Sequence, residues 1–214
     1  MQVLSRVLSH AVDPLGKLAS NPCEGIKQLY SGNRAEIIWT EADMAALKKT
    51  CSPEIAHAVD LAAHTGLRLG DLLRLSWSHV GEDAITLATG KSRGRREAII
   101  PLYDELRHLL ARIPKRSTMI LTSSKRRPWT PDGFGSSFNK AKKDAGFADK
   151  DLHFHDLRGT AATKFYIAGL SIRVIAEILA WSEDQVDRII RRYVSRAAAT
   201  KEAIRQLNKA RKRT

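Results

Sequence analysis

Hydrophobic spacing most limits the folds open to this chain. It follows the helical period almost everywhere and changes clearly at one place. The stretch "DAITLATGKSRGRREAIIPL", residues 83–102, holds two short runs of alternating apolar residues around a basic, glycine-containing turn. That pattern predicts a β-hairpin. "TMILT", residues 118–122, is a candidate third strand. Before the hairpin, residues 3–13 read as an amphipathic helix. A second helix begins after Thr40, a good N-cap with Asp43 in the first turn. A third covers about 53–64 and is broken by Gly66, and "LRLGDLLRLSW" restarts the spacing. "YDELRHLLARI" is helical again, and further helices are expected at about 131–145, 155–168, 172–180, 183–196 and 199–211. Gly169 stands where a C-cap belongs and Ser171 where the next N-cap belongs. The expected class is α+β, mainly α-helical, with a small three-stranded sheet or hairpin.

At 214 residues the chain can bury one good core. The 36 Lys and Arg against 23 Asp and Glu leave a formal charge of +13. Such an excess points to a polyanion, of which nucleic acid is the commonest, although a solvated basic surface has the same composition. Cys23 and Cys51 are too few and too distant for a disulfide framework or a zinc module, which fits a reducing cytoplasm. No apolar run approaches the roughly 20 residues of a membrane span. The opening "MQVLSRVLSHAVDPLG" is too polar for a signal peptide.

Several motifs are less than they look. "ATGKS" lacks the glycine a P-loop needs five places before Gly90, where Ile85 stands, and a strand-like run follows the lysine instead of a helix. His153 and His155 in "HFH" have no acidic or thiol partners at metal-ligand spacing. "FYIAGLSIRVIAEI" has helix-turn-helix punctuation, but bulky Phe165 sits where tight helix packing prefers a small residue. "HDLR" places His155 and Arg158 three apart, on one face of a helix. Singly, Arg68 reads as a helix-start arginine paired with Asp71, Trp181 as a core plug, and Tyr193 as an interface aromatic.

In order, these pieces resemble the catalytic domain of the tyrosine recombinase (phage integrase) family over roughly residues 36–196. "HTGLRLGDLLRLSWSHV" resembles its first arginine box, with Arg68 as the arginine and Asp71 where the family usually has glutamate. "TGKSRGRREAIIPL" resembles the hairpin of its catalytic lysine, matched by Lys91. "HDLRGTAAT" is similar to the second box, giving His155 and Arg158, and "ILAWS" to the third, giving Trp181. Tyr193 falls in the nucleophile's region, twelve residues after Trp181 where the family usually has nine. Tyr30, Tyr103 and Tyr166 match that position less well.

The resemblance implies a DNA strand-breaking and rejoining enzyme. Tyr193 would attack a phosphodiester, Arg68 and Arg158 would hold the phosphate, and His155 and Trp181 would assist. Lys91 would protonate the leaving 5′-oxygen, and Asp71 would support the site from behind. No cofactor and no metal are implied. The partner would be double-stranded DNA, bound by a tetramer, the chain being monomeric when free and the protein cytoplasmic and DNA-associated. Residues 1–35 would be the end of a truncated core-binding domain, 36–198 the catalytic domain and 199–214 a basic helix or tail. Arg93, Arg95, Arg96, Lys125, Arg126, Arg127, Lys140, Lys142 and Lys143 are candidate phosphate contacts, salt-dependent and indifferent to sequence. A catalytically silent DNA-binding relative and a helix-turn-helix regulator are the competing readings.

Such residues suit such chemistry. A phenol with a pKa of about 10 is ionised in roughly one molecule per thousand at pH 7. The attacked phosphate is anionic and gains charge density in the transition state. Rigid guanidinium forks address both problems, and losing one preorganised donor typically costs about 3 kcal/mol.

Overall fold

The computed structural model describes residues 2–26, 37–90 and 96–193. The chain divides into two compact units, Met1–Asn33 and Arg34–Thr214. In the first, helix α1 (Gln2–Val12) is followed by a loop that folds back on it, the Asn21 side-chain amide donating to Ser5 O at 2.9 Å and Ser9 Oγ at 2.8 Å.

The second unit holds the remaining elements. Helix α2 (Glu41–Thr50) starts with a reciprocal cap, because Thr40 Oγ1 accepts from Asp43 N–H and the Asp43 carboxylate accepts from Thr40 N–H. Helix α3 (Pro53–Thr65) is capped by Ser52, carries proline at its first position and ends on Gly66 in the left-handed conformation (φ 61°). Helix α4 (Leu69–Leu73) is short and leads into a 3₁₀ turn at Trp77–His79.

Strands β1 (Ala84–Ala88) and β2 (Glu97–Pro101) form the antiparallel hairpin, with Ala84 opposite Pro101 and Ala88 opposite Glu97. Ile85, Leu87, Ala98 and Ile100 point into the core, as strand alternation requires. The sheet has two strands, not the three expected. "TMILT" pairs instead with residues 75–77: Trp77 N–H donates to Thr118 O and Ile120 N–H to Leu75 O. Its partner turns at once into the 3₁₀ turn, so pairing stops at the single bridge Ser76–Met119.

Helix α5 (Asp104–Arg112) packs Leu106, Leu109 and Leu110 inward. Helix α6 (Pro131–Asp144) buries Phe134 and Phe138. Both rings meet Phe154, edge-on, with centroids at 4.9 and 5.3 Å. Phe154 begins a 3₁₀ turn, Phe154–Asp156, and only then does α7 (Leu157–Ile167) start. His155 therefore sits on the turn, one element before the helix expected to carry it.

Helix α7 lies at the centre of the unit: Leu157 through Thr163 are all buried. Its buried threonines are internally satisfied. Thr160 Oγ1 accepts from Trp39 N–H at 2.9 Å and donates to Trp39 O at 3.1 Å, and Thr163 Oγ1 donates to Gly159 O. Helix α8 (Ile172–Leu179) is capped by Ser171 and ends on Ala180, itself left-handed (φ 50°). Helix α9 (Glu183–Tyr193) turns Val186 and Ile190 into the core. The helix expected at 199–211 lies outside the described residues.

Candidate active site

A cavity of about 250 Å³ opens where α4, α7 and α9 approach one another. Its lining includes Arg68, His155, Arg158 and Trp181, together with Ile37, Asp156, Gly159, Gln185, Arg188 and Ile189. Four side chains assigned from three separated stretches of sequence thus share one wall.

Local packing explains the convergence. Arg68 occupies the N-cap position of α4, two residues after Gly66. A side chain at Gly66 would run into Leu179 and come within 3.2 Å of Ala161 Cβ. The end of α3 is therefore pressed directly onto α7 and α8, and the following turn delivers Arg68 to the cavity. Arg158, in the first turn of α7, is 3% exposed. Its guanidinium lies 4.7 Å from the Trp181 ring centroid and has a long 3.5 Å contact to Leu179 O. Burial pulls its pKa down to about 9; the nearby charge of Arg68 acts in the same direction, opposed by Asp71. It remains cationic at neutral pH. Among the described residues, neither Arg68 nor Arg158 forms an ion pair with a carboxylate. His155 is exposed beside them, held through its neighbours: Phe154 in the aromatic cluster, and His153, whose carbonyl accepts from Trp39 Nε1–H at 2.8 Å.

Asp71 is buried and outside the cavity lining. It does not pair with Arg68. Its Oδ1 accepts from Arg74 Nε at 3.2 Å, from an Arg74 terminal nitrogen and from Gly90 N–H at 2.9 Å, while its Oδ2 is buried without a partner. Arg74 also donates to Ala88 O, so Asp71 and Arg74 together fasten α4 to the end of β1, directly before Lys91.

Lys91, Arg93 and Arg95 lie outside the described residues. Tyr193 is the final residue of α9, and its side chain likewise falls outside them. Arg96 lies in an adjoining groove with Arg173, Glu177 and Glu183, which reaches Trp181. Lys125, Arg126 and Arg127 are exposed on a tight turn in which Arg126 adopts φ 60°. Lys140 is paired with Asp144 at 2.6 Å and Lys142 donates to Lys150 O, both on α6. Of the described residues in this group, Arg96, Lys125, Arg126, Arg127, Lys140 and Lys142 do not line the cavity.

Two other tyrosines are accounted for. Tyr103 meets His64 Nδ1 at 2.6 Å, and burial raises its pKa well above the ordinary value. Tyr166 packs against the core. Phe165, in the would-be helix-turn-helix, is buried against Tyr103.

Sequence reasoning did not single out Gln185, Arg188 and Ile189. Their signal was present as a stripe at i, i+3 and i+4 on α9, but a stripe does not say what it faces.

Residues 39–199 match the family model described as "Phage integrase family". The chain is 28% identical to the integrase of Escherichia phage HK022 over 162 residues, covering 69% of this chain and 44% of that protein. It is 24% identical to a tyrosine recombinase of Thermosipho africanus, covering 77% and 60%. It spans about half the length of the curated relatives it matches. Among solved structures, a lambda integrase dimer bound to a COC′ core site superposes with a TM-score of 0.70 at 20% identity, over 88% of this chain and 57% of that one. The XerA recombinase does so with 0.59 at 22% identity, over 79% and 65%. The fold agrees with the pattern of helices and hairpin, and the family model extends from Trp39, which clamps α7, past the end of α9: this chain belongs to the phage integrase family.

Proposed function

We propose that residues 36–198 form the strand-cleaving domain of a site-specific DNA recombinase, with 199–214 as its basic tail, acting on double-stranded DNA through a 3′-phosphotyrosine intermediate. One observation carries this reading: Arg68 and Arg158 line a single cavity with His155 and Trp181, and neither guanidinium is neutralised by an ion pair among the described residues. Two uncompensated cations in one cavity make a site for an anion the size of a phosphate group. The DNA-bound lambda integrase structures of like fold support the choice of partner.

In the proposed reaction the Tyr193 oxygen attacks the phosphorus and the P–O5′ bond breaks. Arg68 and Arg158 hold the non-bridging oxygens and take up the charge that develops on them. The tyrosine proton passes to His155 or to water, and Lys91 delivers a proton to the departing 5′-oxygen. The products are a 3′-phosphotyrosine and a free 5′-hydroxyl. The diester energy is kept in the covalent link, so religation to another strand needs no nucleotide. Tyr193 is favoured because it closes the helix whose Gln185, Arg188 and Ile189 line the cavity. Residues 1–35 act as the end of a core-binding domain, the basic residues named above grip flanking phosphates, and the active assembly on DNA is a tetramer. The chain free of DNA is a monomer.

The test is a nicked suicide duplex bearing the cognate site. A covalent protein–DNA adduct is expected on a denaturing gel and is expected to vanish in Tyr193→Phe. An adduct that survives this change would assign the nucleophile elsewhere. No adduct on a duplex that the protein binds specifically would favour a silent DNA-binding relative, and a compact operator footprint by a stable dimer would favour a regulator.

A further inference from the structure

We infer that Arg188 is a third guanidinium of the phosphate site, binding the same anion as Arg68 and Arg158 and thereby fixing the nucleophile's helix against it. The inference rests on the cavity being the phosphate site proposed above.

Helix α9 presents two distinct rows of side chains. Val186 and Ile190 enter the core, whereas Gln185, Arg188 and Ile189 line the cavity. Arg188 is exposed at this lining and has no ion-pair or hydrogen-bond partner among the described residues. Its neighbour Arg191 behaves differently, pairing with Asp187 at 2.6 Å one turn back on the same helix. An unpaired arginine aimed at a cavity that already holds two others is electrostatically unfavourable unless an anion joins them. Among the described residues the carboxylate lining the cavity is Asp156, whose Oδ2 accepts the His153 N–H at 2.7 Å. Three cations carried on three helices, α4, α7 and α9, are therefore brought around one space.

The arrangement has a mechanical consequence. Arg68 and Arg158 belong to helices locked by the packing at Gly66 and by the burial of α7. Arg188 belongs to the helix that ends at Tyr193. A phosphate held by all three ties the position of α9 to the position of the phosphorus. Arg188 is thus a substrate-contacting residue whose contact also sets the approach of the attacking tyrosine.

The experiment uses inorganic phosphate as the probe and the full chain labelled with 5-fluorotryptophan. Trp181, which touches Arg158, reports occupancy through its ¹⁹F resonance, assigned from Trp181→Phe. Addition of phosphate is expected to move that resonance saturably. Arg188→Gln is expected to weaken binding about tenfold or more, as loss of a hydrogen bond to a charged group implies. Arg188→Lys should fall between. Arg191→Gln removes the same charge from the same helix outside the cavity and should bind like the parent. Melting curves check that the exposed substitutions leave the fold intact. Arg188→Gln binding as tightly as the parent would overturn the inference alone, as would an equal loss in Arg191→Gln, which would make the effect one of net charge. No response of Trp181 to phosphate would overturn both this inference and the phosphate site beneath it. If phosphate binding behaves as expected while no DNA adduct forms, the three-arginine site stands and the recombinase reading falls.

Discussion

The guanidinium of Arg158 lies over the indole of Trp181, 4.7 Å from its centroid, at the base of the cavity. Besides the indole face, the charge of Asp71 acts on this buried cation, but the Asp71 carboxylate is engaged by Arg74 and Gly90 and forms no ion pair with it. A cation–π contact of about 1–2 kcal/mol offsets only part of the desolvation of a charge this deeply placed. The protein therefore carries an electrostatic debit that a bound phosphate would cancel.

Arg158→Met follows from this directly. The substitution keeps much of the side chain's length and removes a buried, unpaired charge. It is expected to raise stability by about 1–3 kcal/mol in chemical denaturation. It should at the same time abolish phosphate binding and adduct formation. A variant less stable than the parent would show that the charge is better compensated than its contacts indicate.

The pH dependence has a definite sign. In the folded protein the Arg158 pKa is pulled down to about 9 by burial and by Arg68, whereas in the unfolded chain it keeps the ordinary, much higher arginine value. Below about pH 9 the group is charged in both states, so the penalty is constant. Above it, the unfolded chain holds the extra proton, and this group's contribution to stability rises with pH. The stability gap between Arg158→Met and the parent should therefore narrow as pH rises past 9. Sulfate affinity, which needs the cation, should be flat up to that point and decline beyond it. Paired denaturation series and sulfate titrations at pH 7 to 10.5 check both trends.

Asp71→Ala removes the acceptor shared by Arg74 and Gly90 N–H. A loss of about 1–3 kcal/mol in stability is expected from the donors left without it. Because Gly90 precedes Lys91, adduct formation at saturating DNA should slow while DNA affinity changes little. Replacing the bridging 5′-oxygen by sulfur gives a leaving group that departs without a proton. It should restore much of the lost rate. Failure of that rescue would assign Asp71 a purely structural part.

Two residues next to the site share the left-handed backbone, and opposite outcomes are expected of them. Ala180 (φ 50°) bears a Cβ in a conformation that costs about 1–2 kcal/mol. Ala180→Gly relieves it, less the added freedom of the unfolded chain, for a net gain of about 0.5–1 kcal/mol and a Tm higher by a few degrees. Gly66→Ala adds the same backbone penalty and drives a methyl into Leu179. It should destabilise by about 2–4 kcal/mol and weaken phosphate binding, because Arg68 follows two residues later. Thermal melts with and without phosphate separate the two effects.

Much of this was readable before any coordinates. Thr40 and Ser171 cap helices because a short side-chain oxygen satisfies an otherwise unpaired N–H, a purely local event. The hairpin announces itself by alternation, and Gly66 by the end of an apolar stripe. Other features were not local. "TMILT" has the composition of a strand, yet makes only the isolated bridges Met119–Ser76 and Thr122–Pro128, because the segment it meets at Ser76 turns away. Asp71 has the spacing of a partner for Arg68, but its carboxylate is taken by Arg74 and Gly90. His155 has helical spacing to Arg158, but Phe154 is held by the α6 rings in a turn that ends before the helix begins.

Sequence alone determined the helical period, the hairpin, the order of the candidate residues along the chain and the surplus of positive charge. Tertiary structure decided which of them meet, that Arg158 is buried and Arg68 beside it, and that Arg188 joins them. The physical reason is that hydrophobic period specifies which face of a helix leaves water, while the partner it meets is chosen by close packing between distant segments. Here that packing is the contact of Gly66 with Leu179 and Ala161, and no window of the sequence contains all three together with Arg188.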